Sequence, residues 1–204
     1  MELKTLCNVK NYDAILIQEH WLCFSAFCNF DYFKNDYNIY CASAMDSEIK
    51  KGLLRGRPYG GFSVLLRKSF CNRFVSVKCI SCTDRYTIII LDNLLLINVY
   101  LPCCRNSLDH NELHSIFSRI ASDIEGYCYS FIIWGGDFNC NVFESSTLSD
   151  FINNNLTKFG LSVCNNFLDK PCSVEYTLLR KRAEHIQLLI IFLSVILYRI
   201  LFVL

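Results

Sequence analysis

The chain has 204 residues, of which 52% are apolar and 19% are charged. This length and composition suffice for one globular domain with a buried core, and they exclude a disordered chain. A net charge of +1 identifies no class of partner. Because the first ten residues do not form a signal peptide, we expect the 13 cysteines to be reduced and the protein to be intracellular.

The first half of the chain is predicted to contain one helix and a series of strands. Residues 2–11 favour a short helix, and the apolar run 12–19 favours a buried strand with a polar end. Residues 23–36 are irregular and aromatic, which indicates a loop, and the glycines of 50–61 mark another loop. The pattern predicts further strands at 37–41, 62–67, 73–80, 85–92 and 94–101, with a tight turn at 92–93.

The second half of the chain alternates helices with a strand. Residues 129–134 favour a strand between two helices, which are predicted at 108–126 and 146–160. Asp109 and Glu112 have the spacing of a capping box at the start of the helix predicted at 108–126. That helix carries one apolar stripe, made of Leu113, Ile116, Phe117, Ile120 and Ile124. This order of elements predicts an α/β or α+β sandwich with central sheets covered by helices.

The last stretch of the chain, residues 186–204, differs in composition. Only Gln187, Ser194 and Arg199 are polar in it. Its length just reaches the roughly 20 residues that span a bilayer, and basic residues 180–182 precede it, as the positive-inside rule favours. Three interpretations stay open: a tail anchor that associates the protein with a membrane, a buried core segment, or residues that follow a frame disruption.

Two further patterns concern ligands. From Lys50 to Lys78 the chain has eight basic residues and no acidic one, which is typical of a phosphate-contacting face or of a solvated face. Cys79 and Cys82, followed by two histidines in the predicted helix (His110 and His114), have the residue types of a zinc site. Because two predicted strands separate the pairs, unligated core or edge cysteines are the favoured interpretation.

Three predicted strands end in polar side chains. Glu19 follows the first, Asn98 and Tyr100 end the second, and Asp137 and Asn139 follow the third across two glycines, which we expect to turn the chain sharply. A carboxylate can orient or deprotonate a water, an amide can donate to a phosphate oxygen, and a second carboxylate can hold Mg²⁺. This set suits phosphodiester hydrolysis, and the alternative is that all five residues are ordinary strand ends.

Four motifs carry a resemblance to a known family: ILIQEHWL (15–22), GRPYGGFSVLLRKSF (56–70), LLINVYLP (95–102) and GGDFNCNV (135–142). In this order they resemble the endonuclease/exonuclease/phosphatase superfamily and, more narrowly, the apurinic-type endonuclease domain of non-LTR retrotransposons. The resemblance implies a domain over residues 1–180, folded as a four-layered α/β sandwich of two mixed sheets flanked by helices. Residues 181–204 would be a divergent hydrophobic tail.

The resemblance also implies roles for individual side chains. Glu19 matches the metal-binding glutamate, and Tyr100 matches the tyrosine near the scissile phosphate. Asp137 matches the residue that orients the attacking water, and Asn139 the amide that contacts the transition state. Implied phosphate or nucleic-acid contacts are Arg55, Arg57, Arg67, Lys68 and Thr177. The implied cofactor is Mg²⁺, with Mn²⁺ as a substitute, and the implied partners are DNA or RNA and a reverse transcriptase in a parent polyprotein.

The sequence departs from the family at both ends, so the fold is expected to be incomplete there. The family begins with a strand that has no counterpart before the predicted first helix, and its loss would uncover a sheet edge. The family closes with a Ser-Asp-His, whereas this chain has no aspartate after Asp169 and only His185 as a late histidine. Losing one such preorganised group typically costs about 10²–10³ in rate. We therefore expect a weak or inactive DNA-nicking phosphodiesterase, or a non-catalytic nucleic-acid-binding remnant.

Overall fold

The computed structural model describes residues 12–50, 52, 60–102, 107–140, 145–161 and 200–203. These ranges form eight strands: β1 (Ala14–Gln18), β2 (Tyr37–Ala42), β3 (Phe62–Arg67), β4 (Val77–Cys82), β5 (Tyr86–Leu91), β6 (Leu94–Tyr100), β7 (Phe131–Asp137) and β8 (Ile200–Val203). Their helices are a 3₁₀-helix (Phe24–Phe33) and four α-helices, α1 (Asp46–Lys50), α2 (Lys68–Cys71), α3 (Ser107–Ile124) and α4 (Thr147–Lys158). The helix predicted at 2–11 lies outside the described residues.

The strands build two four-stranded sheets. The first sheet has the order β2-β3-β1-β8, in which β1 runs antiparallel to β3 and parallel to β8. The second has the order β4-β5-β6-β7, in which β6 and β7 form a parallel pair beside two antiparallel pairs. Both sheets are mixed and both are flanked by helices, so the predicted α/β sandwich is confirmed.

Three hydrophobic clusters separate the layers. Alternate side chains of the strands point to opposite faces of a sheet, so each sheet has an inner and an outer face. The inner faces meet in one cluster, to which the first sheet contributes Ala14, Leu16, Val64 and Leu66 and the second contributes Ile89, Leu91, Leu94, Leu96 and Ile133. Helices α3 and α4 cover the outer face of the second sheet, and the 3₁₀-helix covers the outer face of the first. The result is four layers.

Helix α3 buries the stripe that the sequence predicts. All five stripe residues are buried and pack on the outer face of β5, β6 and β7. The helix begins at Ser107, so Asp109 lies within it and is not the residue that caps it. A capping box occurs instead at α4, where the side chains of Ser146 and Ser149 bond to each other's backbone N–H. Serine at both positions is a weaker sequence signal than the Ser/Thr with Glu/Gln that defines the motif.

Two local predictions in the first half of the chain are wrong. The aromatic segment predicted as a loop is a ten-residue 3₁₀-helix. Its buried residues, Phe30 and Phe33, are three positions apart, which three residues per turn place on one face. The strand predicted from residue 73 begins only at Val77, because the Asp92 carboxylate accepts from the N–H groups of Val75 and Ser76 in a preceding turn.

The cysteine and histidine pairs lie on different sides of the second sheet. Cys79 packs against the inner cluster, while His114 is exposed on α3 and contacts the Phe151 ring at 4.2 Å between centroids. Among the described residues, no group of three or more His, Cys, Asp or Glu side chains could hold a metal ion. The two pairs therefore do not form one zinc site.

The C-terminal stretch contributes a strand to the first sheet. Residues 200–203 pair with Ala14–Ile17 in parallel register. This part of the predicted span is therefore extended and not helical, while residues 186–199 lie outside the described ranges. None of the described helices has both the length and the apolar character that a membrane crossing needs. The predicted boundary between residues 180 and 181 stays a prediction.

Strand β7 contradicts the sharp turn predicted at the glycine pair. The strand continues through both glycines to Asp137, and Gly136 lies opposite Val99 of β6. A Cβ on Gly136, whose φ is +131°, would lie 2.0 Å from the Val99 carbonyl oxygen. The glycine is therefore needed for close approach of two strands, and the chain turns only at Asn139, where φ is +47°.

We expect Gly136→Ala to lower the free energy of unfolding by at least about 3 kcal/mol, since steric overlap and an unfavourable φ add. Gly126→Ala is the matched control, because Gly126 also has a positive φ but no atom within 4 Å of the added Cβ. Its cost should be about 1 kcal/mol. Urea unfolding of both variants measures the difference, and equal losses would contradict the close approach.

Candidate active site

The structure brings four of the predicted site residues together at one end of the sheets. Glu19 directly follows β1, whereas Tyr100 and Asp137 end β6 and β7 and lie opposite each other in the parallel register. The Tyr100 hydroxyl donates to Glu19 Oε1 at 2.7 Å, and this bond joins the two sheets. Asn139 follows two residues after Asp137, and its Nδ2 donates to the Leu101 carbonyl oxygen at 2.7 Å.

Two of these four residues have an unusual backbone conformation. Glu19 has φ +52° and Asn139 has φ +47°, in the left-handed region that non-glycine residues seldom adopt. Such positions cost on the order of 1–3 kcal/mol and cluster at functional sites, where the surroundings hold them in place. At Asn139 the restraint is local, because its own N–H donates to Asp137 Oδ1 at 2.9 Å.

The turn after Glu19 is held by His20. The N–H of His20 donates to the Gly61 carbonyl, and the His20 ring lies so close that a Cβ on Gly61 would be 2.6 Å from its Cε1. His20 Nδ1 accepts from the Leu22 N–H, so the other ring nitrogen carries the proton and donates to the Ala42 carbonyl at 3.1 Å. Burial lowers the pKa of His20 and favours this neutral form. His20 is therefore a structural support for Glu19.

The electrostatics of the site centre on Asp137. The pKa of Asp137 is raised to about 6. Burial is the largest cause, the hydrogen bond from the Asn139 N–H lowers the pKa, and the negative charge of Glu19 raises it. Glu19 accepts from Tyr100, which lies opposite Asp137, so the two carboxylates belong to the same end of the sheets. A carboxylate with a pKa close to neutrality is ionised at pH 7.5 and is still basic enough to accept a proton from water.

The donor atoms at the site suit a hard divalent cation. Glu19 and Asp137 provide carboxylate oxygens, and a cation would offset the burial and the negative charge of Glu19 that raise the pKa of Asp137. Mg²⁺ takes oxygen ligands, uses one or two carboxylates and keeps several waters. Two carboxylates therefore fit Mg²⁺.

Two of the predicted phosphate contacts, Arg67 and Lys68, are not brought to this site. Phe62, the first residue of β3, pairs with Gln18, which precedes Glu19. Arg67 is the last residue of β3 and therefore lies roughly 17 Å along the strand from Phe62. Its guanidinium donates to the Tyr12 carbonyl and the Tyr37 hydroxyl, and Lys68 Nζ donates to the Lys34 carbonyl. Their position follows from the antiparallel direction of β3. Arg55, Arg57 and Thr177 lie outside the described residues.

Sequence reasoning missed a cation beside Tyr100. The Arg85 guanidinium lies 5.7 Å from the centre of the Tyr100 ring and forms an ion pair with Glu112 at 2.7 Å. The Arg85 carbonyl also accepts from the Tyr100 N–H. Arg85 precedes β5 and has no motif around it, so only the pairing of β5 with β6 could have placed it here.

No protein-family model matches the sequence, and no curated protein matches it. Among solved structures, the chain is similar to the 3′ phosphatase NExo from Neisseria bound to a product DNA hairpin, with a TM-score of 0.59 and 15% identity over 93% of this chain and 82% of that one. It is also similar to an AP endonuclease from Archaeoglobus fulgidus, with a TM-score of 0.58 and 12% identity over 89% of this chain and 73% of that one.

A third similar structure is the 3′-5′ exonuclease NExo from Neisseria meningitidis, with a TM-score of 0.56 and 16% identity over 87% of this chain and 74% of that one. Identities this low show the fold and not the activity. The chain therefore has the fold of exonuclease, AP endonuclease and phosphatase-type enzymes, as the resemblance in its motifs implies.

We expect Asp137→Asn to stabilise the protein at pH 7.5 in EDTA by on the order of 1–3 kcal/mol. The pKa of Asp137 is raised from 3.8 to about 6 in the folded chain. Between these values the unfolded chain ionises first, so wild-type stability falls as the pH rises through that window. The asparagine does not ionise, so its advantage should be absent below about pH 4, grow between pH 4 and pH 6, and be complete above about pH 6.

Urea unfolding at pH 3.5 and pH 7.5 measures this difference. The matched control is Asp84→Asn, because Asp84 is exposed and its substitution should change the unfolding free energy by no more than about 0.5 kcal/mol at either pH. A loss of stability in Asp137→Asn at pH 7.5 would show that the ionised carboxylate stabilises the fold, contrary to this prediction.

Proposed function

We propose that the protein is a metal-dependent phosphodiester hydrolase that nicks DNA, of the type found in non-LTR retrotransposons. The convergence of Glu19, Tyr100, Asp137 and Asn139 on one end of the two sheets carries this proposal. The similarity in fold to a phosphatase with a product DNA hairpin and to an AP endonuclease supports DNA as the substrate.

The residues of the site divide the chemistry of hydrolysis among them. Asp137 orients the attacking water and accepts its proton, as its position and near-neutral pKa favour. The amide of Asn139 donates to a non-bridging phosphate oxygen and adds no negative charge that would repel it. The Tyr100 hydroxyl, held by Glu19 at 2.7 Å, keeps the glutamate side chain directed at the same place.

Glu19 would hold the metal, for which Mg²⁺ is the proposed ion and Mn²⁺ its substitute. A divalent metal supplies Lewis-acid stabilisation of the charge that develops on the phosphate. The proposed activity is weak, because the sequence has no aspartate after Asp169 and so no match to the closing Ser-Asp-His of the family. His185, the only late histidine of the sequence, lies outside the described residues.

We expect the purified protein to nick supercoiled plasmid in Mg²⁺ and to lose this activity in EDTA. Glu19→Ala and Asp137→Ala should each lower the nicking rate by at least about 10²-fold, because each removes a charged group of the site. Glu125→Ala, which removes an exposed carboxylate after α3, is the control and should nick like the wild type. Agarose-gel conversion of supercoiled to open-circular plasmid measures the rate.

Nicking that survives both alanine substitutions would refute the proposal, since a contaminating nuclease would then explain it. A protein that binds DNA with a steep salt dependence but does not nick would favour the second candidate, a non-catalytic nucleic-acid-binding protein. The observation behind that candidate is the group of exposed basic residues at the end of the sheets away from Glu19: Lys68, Arg73 and Lys78.

We expect Tyr100→Phe to reduce kcat by about 10–100-fold, because a hydrogen bond to a charged group contributes about 1.5–3 kcal/mol. The phenylalanine keeps the ring and removes only the hydroxyl that donates to Glu19. Tyr129→Phe is the matched control, because Tyr129 is 36% exposed and precedes β7 at its far end. Single-turnover nicking measures both, and an unchanged rate in Tyr100→Phe would remove the hydroxyl from the mechanism.

A further inference from the structure

Two amide side chains meet in the layer between the sheets. Gln18 is 1% exposed and Asn98 is 0% exposed, and Gln18 Nε2 donates to Asn98 Oδ1 at 2.5 Å. The two residues are 80 positions apart in sequence and belong to different sheets. Their neighbours on the same faces, Leu16 and Leu96, belong to the apolar inner cluster. The amide pair therefore replaces apolar packing at the end of this layer.

The amide pair contributes little to the stability of the fold. Within the part of the chain that the structure describes, Gln18 Oε1 and Asn98 Nδ2 are buried and have no hydrogen-bond partner. Buried amide atoms without partners lower stability, whereas two apolar side chains of the same shape would pack in their place without this loss. The pair thus needs an explanation other than its contribution to the folding energy.

The position of the pair provides that explanation. Gln18 immediately precedes Glu19, and Asn98 lies two residues before Tyr100 on the same face of β6. The bond from Gln18 to Asn98 and the bond from Tyr100 to Glu19 are therefore successive contacts between the same two strands of different sheets. On strand β7, which pairs with β6, Asp137 lies opposite Tyr100.

The sheets need such a contact because none of the eight described strands belongs to both of them. Backbone hydrogen bonds set the register within each sheet, but only side chains set the position of one sheet against the other. Apolar contacts tolerate small displacements, whereas a hydrogen bond weakens within a few tenths of an ångström and is directional. A displacement of about 1 Å at a reacting centre can cost 10²-fold in rate.

We propose that the amide pair Gln18–Asn98 is a positioning device that fixes Glu19 against Tyr100 and Asp137 across the two sheets. This inference rests on the proposed function, since it concerns the same site. The pair acts through Glu19 and Tyr100 and need not contact the substrate.

The test replaces both amides with apolar side chains of similar shape, in the double variant Gln18→Met/Asn98→Leu. Thr87→Val is the matched control, because Thr87 is 0% exposed, faces the same layer and pairs with Asn98 in the register, but its hydroxyl donates to Cys82 Sγ. Three quantities are measured for each protein: kcat and KM for plasmid nicking in Mg²⁺, Mn²⁺ affinity by electron paramagnetic resonance, and the thermal midpoint in EDTA.

We expect the double variant to keep or raise the thermal midpoint and to lower kcat by about 10–100-fold, with KM changed less than about threefold. Its Mn²⁺ dissociation constant should rise at least about fivefold, because Glu19 loses its fixed position. Thr87→Val should keep all three values near those of the wild type. An amide pair that only stabilised the fold would not produce this result, because its replacement would lower the thermal midpoint and kcat together.

Two results would overturn the inference. One is a double variant whose kcat and Mn²⁺ affinity stay within twofold of the wild type. The other is a loss of activity that accompanies a fall in the thermal midpoint of the double variant, because a less stable fold would then explain the loss. If the wild type does not nick, the proposed function fails, and the Mn²⁺ titration still decides whether the pair positions Glu19. A wild type that neither nicks nor binds Mn²⁺ refutes both.

Discussion

The candidate site depends on the packing of one sheet against the other. Glu19 belongs to the first sheet, and Tyr100, Asp137 and Asn139 follow strands of the second. Within the described ranges the two sheets share no strand. The apolar inner cluster therefore determines their separation, and the polar contacts at its end determine their alignment. The site is thus a consequence of how two hydrophobic faces meet, and any change in that layer is transmitted to it.

The elements that end at the site are held by close contacts that tolerate little change. Glu19 keeps its left-handed backbone because His20 fills the space beside Gly61, and β7 approaches β6 closely because Gly136 has no side chain. Rigid surroundings of this kind are what allow strained residues to persist in a folded protein. The same rigidity limits the motion of the carboxylates, which preorganises them for a cation or a phosphate.

Sequence patterns predicted the regular elements well and the tertiary contacts poorly. Strand β3 is a short apolar run after a glycine-rich segment, and the stripe of α3 has a clear period of 3.6, so both are predicted closely. The 3₁₀-helix has a period of three, which neither pattern resembles. The glycines of β7 were misread as a turn, because the need for them comes from Val99, a residue of another strand. For the same reason Gln18 and Asn98 each look like ordinary polar strand ends until their pairing is seen.

The site residues themselves were accessible to sequence reasoning because strand ends are visible in a sequence and share a common edge in space. No local pattern contains the direction of β3. This strand runs antiparallel to β1, so Arg67 lies away from the candidate site, although its motif suggests a phosphate contact there. Direction depends on which strands pair, and pairing is decided by burial over the whole chain. Motifs therefore indicated side chains that the structure brings to one end of the sheets, but they could not place the cations that follow a neighbouring strand.

Strand β8 changes the physical picture of the first sheet. The sequence led us to expect an uncovered edge, and an unpaired edge next to Glu19 would leave β1 free to twist or to pair with another chain. Instead β8 pairs with Ala14–Ile17, so β1 has a hydrogen-bonded neighbour on both sides. An interior strand is held more firmly than an edge strand, and Glu19 is the residue that directly follows it. The hydrophobic C-terminal residues thus support the position of the candidate metal ligand through the backbone of β1, a role that hydropathy alone could not distinguish from a membrane anchor.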